Sequence, residues 1–327
     1  MENPKVLFIS QEINPFMPES ELSLMSRHLP HGLHELGVEV RLFMPRFGCV
    51  NERRNQLHEV IRLSGMNLVI DGADHPLIIK VASMQNTRMQ VYFIDNEDYF
   101  LRKDPIRDEH LVPYADNDER SVFFCKGVLE TVKKLRWAPD IIHCHGWMSA
   151  FAPIMVKKAF ADDPLLAGAK IVYSIYDDDF RVLMSPNTKR KIIMTGINKK
   201  DVELLKTPSY LNLTKLAIQF SDAVVTCSRH ISPDVCEFLS AARRKNVYDI
   251  ESQGDYIDAY SRLYNKLLIG SGRRRRFRST PPPRKTATRP SPAKVRAVQA
   301  GIPPAQPISP TAEEPEITPN TAEPCAE

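Results

Sequence analysis

At 327 residues the chain is long enough for two domains, but its composition divides unequally near residue 270, so one folded body and one tail is the simpler organisation. The formal net charge of +4 belongs to the tail: residues 271–327 hold 10 Lys/Arg against 5 Glu, which leaves 34 Lys/Arg against 35 acids for the body. The N-terminus lacks a basic region followed by a leader-length apolar stretch, and no later run approaches the ~20 apolar residues that span a bilayer, so a cytoplasmic protein without membrane contact is expected.

Taken in chain order, apolar and β-branched runs predict strands at Val6 to Ile9, Val38 to Phe43, Ile78 to Ala82, Gln90 to Ile94, Ile141 to Cys144, Ile171 to Ile175 and Ala223 to Cys227. Between them, Leu22, Met25, Leu29, Leu33 and Leu36 put one apolar stripe on a helix from Glu21, and Val122, Cys125, Leu129 and Val132 do the same from Asn117. Strands alternating with helices predict a parallel sheet with right-handed crossovers. The segment 76–94 reads instead as a hairpin decorating one side of the domain. A last amphipathic helix is expected at 251–270, with Tyr260, Leu263, Tyr264 and Leu267 on its buried face.

The tail contains 12 of the 26 prolines and no Leu, Tyr or Trp, a composition that cannot offset its ordering entropy by burial and predicts disorder over 271–327. Its run Arg273 to Arg276 with Arg278 suits either a polyanion such as nucleic acid or, given the acidic and Pro-rich distal part, a solubilising or protein-docking role. Six cysteines (Cys49, Cys125, Cys144, Cys227, Cys236 and Cys325) show no paired short spacings, so free and mostly buried thiols are expected.

Several stretches carry a family resemblance: Lys5 to Glu12 with Pro15, Leu29-Pro30, Gly37 to Pro45, Tyr114-x-Asp116-Asn117-x-x-Arg120, Pro139 to Pro153, and Leu213-Thr-Lys215 through Ser228. Together they resemble the N-terminal half of the glycogen and starch synthases, glycosyltransferase family five. The resemblance implies an α/β fold, a single Rossmann-like domain over 1–250 forming one half of a GT-B glycosyltransferase. It also implies transfer of glucose from ADP-glucose to an α-1,4-glucan, with no cofactor. Tyr260 to Leu267 resembles the family's returning C-terminal helix, arriving here without the second domain that normally precedes it.

The chain departs from the family at its donor site. Where the family loop reads Lys-Thr-Gly-Gly, this chain has Pro18-Glu19-Ser20-Glu21, which removes a backbone donor and adds negative charge where a diphosphate would lie. After the strand at 141, the family aspartate and second histidine are replaced by Gly146 and Met148. After the strand at 171, the family His-Asn is Tyr176-Asp177, and a tyrosine of pKa near 10 cannot do an imidazole's proton chemistry. Retained candidates for sugar contact are Glu12, Asn117, His145, Trp147, Tyr176, Asp177 and Lys215.

Each candidate also has a plain structural reading. His145 would satisfy buried backbone groups, Trp147 would pack in the core, Glu12 would accept from loop amides, and Asp177 to Asp179, an acidic run suited to a cation or sugar hydroxyls, would otherwise be a solvated loop or helix cap. His143 and His145 share a strand face, but no third ligand is indicated and no metal site is expected. The expected function is therefore that of a catalytically degenerate synthase, or of a non-catalytic glucan-binding or regulatory protein that pairs with a separate synthase or donor domain.

Overall fold

The computed structural model describes residues 3–84, 87, 89–241, 246–249 and 255–269. The readings made for 271–327, and Cys325, lie outside the described residues. In chain order the strands are β1 (Lys5–Ser10), β2 (Glu39–Pro45), β3 (His58–Glu59), β4 (Met66–Ile70), β5 (Ala73–Ser83), β6 (Gln90–Asp95), β7 (Ile141–His145), β8 (Lys170–Ile175), β9 (Ala223–Thr226) and β10 (Val247–Asp249). They lie in the order β10-β9-β8-β7-β1-β2-β6-β5-β3, with β4 paired to β5 beside this row. From β10 to β6 every neighbouring pair is parallel; the pairs that β5 makes with β6, β4 and β3 are antiparallel.

All residues of β7, and all but the first of β1 and β8, are buried. Helices cover both faces of such strands, which is why these stretches read as continuous apolar runs rather than alternating ones. The hairpin at 76–94 does form, with Ile78 opposite Asp95 and Ser83 opposite Gln90. It is not a decoration, however. β6 also pairs in parallel with β2, and its Val91, Phe93 and Ile94 are buried, so the hairpin extends the main sheet.

The helices are α1 (Glu21–Glu35), α2 (Glu97–Phe100), α3 (Asn117–Lys134), α4 (Ala152–Ile154, continuing into a π turn), α5 (Thr188–Ile192), α6 (Tyr210–Gln219), α7 (Pro233–Ala241) and α8 (Tyr256–Ile269). The 3.6-residue stripe makes α1, α3 and α8 legible in sequence. Five shorter helices were not read, since fewer than three turns carry little periodicity. On α8, Tyr260, Tyr264 and Leu268 are fully buried and Leu263 nearly so, while Leu267 is only half-buried. The expected face is therefore corrected by one residue, because positions i, i+4 and i+8 stay aligned on a helix of 3.6 residues per turn.

The strand order reverses beside β1, with β2 on one side and β7 on the other. At such a switch point the loops leaving the two strands diverge and open a crevice at their C-terminal ends.

Candidate functional site

The crevice floor is built from the residues that follow β1, β7 and β8. Ser10 lies opposite His145, and His145 opposite Ser174, so these strands end level with one another. The Gln11 amide donates to the His145 carbonyl at 3.1 Å, and the Gln11 side-chain oxygen accepts from the Met148 amide at 3.2 Å. Between them Gly146 adopts φ +80°, a conformation that costs a residue with a side chain about 1–2 kcal/mol. A Cβ there would stand 2.7 Å from Leu22 Cδ1 and 3.2 Å from an Asp178 carboxylate oxygen, so the fold needs glycine on two counts.

Asp178 fills this place. Its Oδ2 accepts from the Trp147 amide at 2.9 Å and its Oδ1 from the Tyr210 hydroxyl at 2.9 Å. Burial raises its pKa to about 7, the two donors pulling it back down and the Glu12 carboxylate adding to the rise.

Behind the floor lies a buried layer of histidine and tyrosine. His145 Nδ1 is 2.7 Å from the Tyr176 hydroxyl, and His143 is held at both nitrogens, by Tyr264 at 2.7 Å and Ser174 at 2.8 Å. Burial lowers the pKa of His145 to about 3 and that of His143 well below the ordinary imidazole value, the neighbouring imidazole adding to the second shift. Both rings are neutral at pH 7. His145 thus meets a tyrosine hydroxyl rather than backbone groups, and its Nε2 is buried without a hydrogen-bond partner.

The loop before α1 is closed on itself. Ser20 caps the helix, accepting from the Ser23 amide at 3.0 Å, while the Ser23 hydroxyl accepts from the Ser20 amide at 2.8 Å. The Ser23 hydroxyl also reaches the Pro18 carbonyl at 2.8 Å, and the Ser20 hydroxyl reaches Glu12 at 2.9 Å. Glu12 therefore accepts from a hydroxyl rather than a loop amide. Glu21 accepts from the Ser228 hydroxyl, which itself accepts from the Asp177 amide at 3.1 Å, so the α1 turn is tied across the crevice to the loop after β9. Glu19 is exposed.

Two cavities open here and share Ile106, Trp147 and Asp179. The smaller, of about 430 Å³, is lined by Gln11, Glu12, Ser20, Glu21, Leu22, Tyr176, Asp177, Asp178, Ser228 and His230 besides these three, a set with five carboxylates and no lysine or arginine. The larger, of about 650 Å³, lies between segments 106–118 and 179–186 and is mainly apolar, with Tyr114, Phe180, Leu183 and Met184 in its walls.

Asn117 lines the larger cavity, yet both ends of its amide are used internally, donating to the Ile106 carbonyl at 2.7 Å and accepting from Arg120 at 2.6 Å. Arg120, fully buried, also donates to the carbonyls of Tyr99 and Pro105, each at 2.7 Å. Burial lowers its pKa to about 10, with Arg102 adding to the shift, and leaves it charged. The Asn117-x-x-Arg120 pair thus anchors the segment 99–106, which leads into the wall of the larger cavity at Ile106.

Of the candidates read from sequence, Glu12, Trp147, Tyr176 and Asp177 meet at the smaller cavity and Asn117 at the larger. His145 stands behind the floor, and Trp147 is 2% exposed, presenting only an edge. Lys215 is on α6 with its ammonium 5.1 Å from the Phe238 ring centroid, and it lines neither cavity. Asp177 and Asp179 are exposed and no helix begins at them. Among the described residues no group of three His, Cys, Asp or Glu is placed to hold a metal, and no helix is long and apolar enough to cross a membrane.

Cys125, Cys144 and Cys227 are buried free thiols, whereas Cys49 and Cys236 are exposed. Sequence reasoning misses Gln11 and Tyr210, and reads Asp178 only as part of the acidic run Asp177 to Asp179 without singling it out. For Asp178 that acidic run, just after the end of β8, is the available signal.

The sequence profile described as starch synthase catalytic domain matches residues 5–247. The glycogen synthase of Chlorobium luteolum is 32% identical over 228 residues, covering 69% of this chain and 46% of its own. That of Chlorobium limicola is 30% identical over 234 residues, covering 71% and 47%. The chain thus spans about half the length of the curated relatives it matches. Among solved structures, the catalytic domain of starch synthase IV from Arabidopsis thaliana, bound to ADP and acarbose, superposes with a TM-score of 0.61 over 76% of this chain and 51% of that one. At 18% identity that likeness is one of fold.

Proposed function

The chain belongs to the starch synthase catalytic-domain family, and from that premise we propose that it recognises α-1,4-glucan without itself transferring glucose from a nucleotide sugar. The observation that carries this reading is the lining of the smaller cavity, five carboxylates with no lysine or arginine. A departing diphosphate needs cations and helix-end amides aimed at it. Here the α1 cap is consumed by the Ser20–Ser23 pair, and Glu21 occupies the first turn. Unpaired carboxylates repel phosphate, most strongly at low salt.

A neutral sugar asks for something different, hydrogen-bonding side chains beside an apolar face. Asp177, Asp178, Tyr176 and the edge of Trp147 adjoin the apolar cavity walled by Tyr114 and Phe180. In this reading a separate synthase or donor domain supplies the transfer chemistry, and the chain's role is regulatory or acceptor-holding.

The test uses the purified chain. Incubation with ADP-glucose or UDP-glucose and glycogen is expected to incorporate no glucose above a protein-free control, while millimolar maltoheptaose perturbs tryptophan fluorescence and ADP does not. Product formation that disappears in Tyr176→Ala, or calorimetric binding of ADP tighter than that of maltoheptaose, overturns the proposal.

A further inference from the structure

We propose that Asp178 is the residue through which the crevice grips a polyhydroxylated ligand, standing where a side chain at position 146 would otherwise project. This rests on the glucan reading above and names the contact that makes it. Three observations converge on the residue. The missing side chain at Gly146 lets the Asp178 carboxylate approach the strand end, its Oδ2 3.2 Å from the point a Cβ would occupy. The carboxylate is held from two elements, the amide after β7 and the Tyr210 hydroxyl of α6, one donor to each oxygen. It also lines the smaller cavity, where a carboxylate can accept from a ligand hydroxyl as well as from its protein donors.

The other carboxylates there are less suited. Glu12 and Glu21 are each held at one oxygen by a single serine hydroxyl, and Asp177 and Asp179 are exposed, so none is fixed from two sides as Asp178 is. A carboxylate fixed in advance loses little entropy when vicinal hydroxyls donate to it, and such charge-assisted bonds are the stronger kind.

The same placement makes binding depend on pH. Burial keeps Asp178 protonated up to about pH 7. The titratable groups that act on it are Glu12 from the β1 loop, Tyr210 from α6, Tyr173 of β8 and Tyr176 on its own segment, while Glu21, Asp177, Asp179 and His230 line the same cavity. Only the deprotonated form offers both oxygens as acceptors. Affinity therefore rises with pH, and for a site that binds in that form alone the change between pH 6 and 8 is about tenfold.

Calorimetry of maltoheptaose with the full chain at pH 6, 7 and 8 tests this, alongside Asp178→Asn and Tyr210→Phe. Asn keeps the fold: its oxygen accepts from the Trp147 amide, its amide donates to Tyr210, and the Tyr210 hydroxyl turns to the Tyr176 carbonyl 3.3 Å away. Asp178→Asn is expected to bind about tenfold more weakly at pH 8 and to lose the pH dependence. Tyr210→Phe, which removes a donor to the carboxylate, is expected to move the midpoint to higher pH.

A folded Asp178→Asn with wild-type affinity and wild-type pH profile overturns the assignment and leaves the glucan reading standing. A wild-type chain that binds no maltoheptaose at any of the three pH values overturns the glucan reading itself, and this assignment with it.

Discussion

Tyr264→Phe deletes one oxygen from the contact between α8 and the sheet. In the wild type the Tyr264 hydroxyl lies 2.7 Å from His143 Nδ1, both side chains are fully buried, and His143 Nε2 is already engaged by Ser174 at 2.8 Å. The variant keeps the ring and its packing but strips His143 of that partner where water does not reach. Leaving a buried polar atom unsatisfied costs about 1–3 kcal/mol, and each kcal/mol lowers Tm by roughly 2–4 °C for a body of this size.

Tyr264→Ala also removes the ring and is expected to cost about 3–5 kcal/mol. Because removing both partners leaves neither end of that bond unsatisfied, the costs of His143→Leu, which also takes the 2.8 Å partner from Ser174, and of Tyr264→Phe should not add, with a coupling of roughly 1 kcal/mol or more. Urea unfolding of the wild type, Tyr264→Phe, Tyr264→Ala, His143→Leu and the double variant, followed by circular dichroism at pH 7.5, supplies the numbers. If Tyr264→Phe unfolds at the wild-type midpoint, or if the two substitutions add, the hydrogen bond does not anchor α8 and the reasoning fails.

Gly146→Ala is expected to destabilise by about 2 kcal/mol or more, combining the left-handed backbone penalty with the Leu22 contact at 2.7 Å, as read by thermal melting. Ser20→Ala removes the α1 cap and should cost about 0.5–2 kcal/mol without restoring ADP binding, since Glu12 and Glu21 stay in place; calorimetry with ADP checks the second half. For Asp178 the folded-state pKa, about 7, lies above the ordinary value of 3.8, so its contribution to stability is fully present below pH 3.8 and is lost as pH rises through 7. Relative to Asp178→Asn, the wild type is expected to lose up to about 1.4 kcal/mol per pH unit across that window, and parallel pH–stability curves for the two proteins would contradict it.

The sequence alone determined what depends on local periodicity and on motif spacing. Continuous apolar runs such as Val6 to Ile9 and Ile141 to Cys144 declare strands buried on both faces, and the stripes of α1, α3 and α8 declare helices that cover them. The acidic, proline-containing character of Pro18 to Glu21 was likewise plain, because charge and a missing backbone donor are properties of residue type.

What only the tertiary structure decided is who meets whom across long separations. That β6 joins β2, and so draws the hairpin into the main sheet, follows from edge pairing that no local pattern encodes. Leu268 replaces Leu267 on the buried face because the sheet, not the helix, fixes the angle at which α8 lies. His145 turns to Tyr176 and His143 to Tyr264, pairs 31 and 121 residues apart. Asp178, one of three consecutive aspartates indistinguishable by type, becomes the held carboxylate only because Gly146 and the Trp147 amide stand opposite it, on a strand whose register with β8 is set by backbone hydrogen bonds.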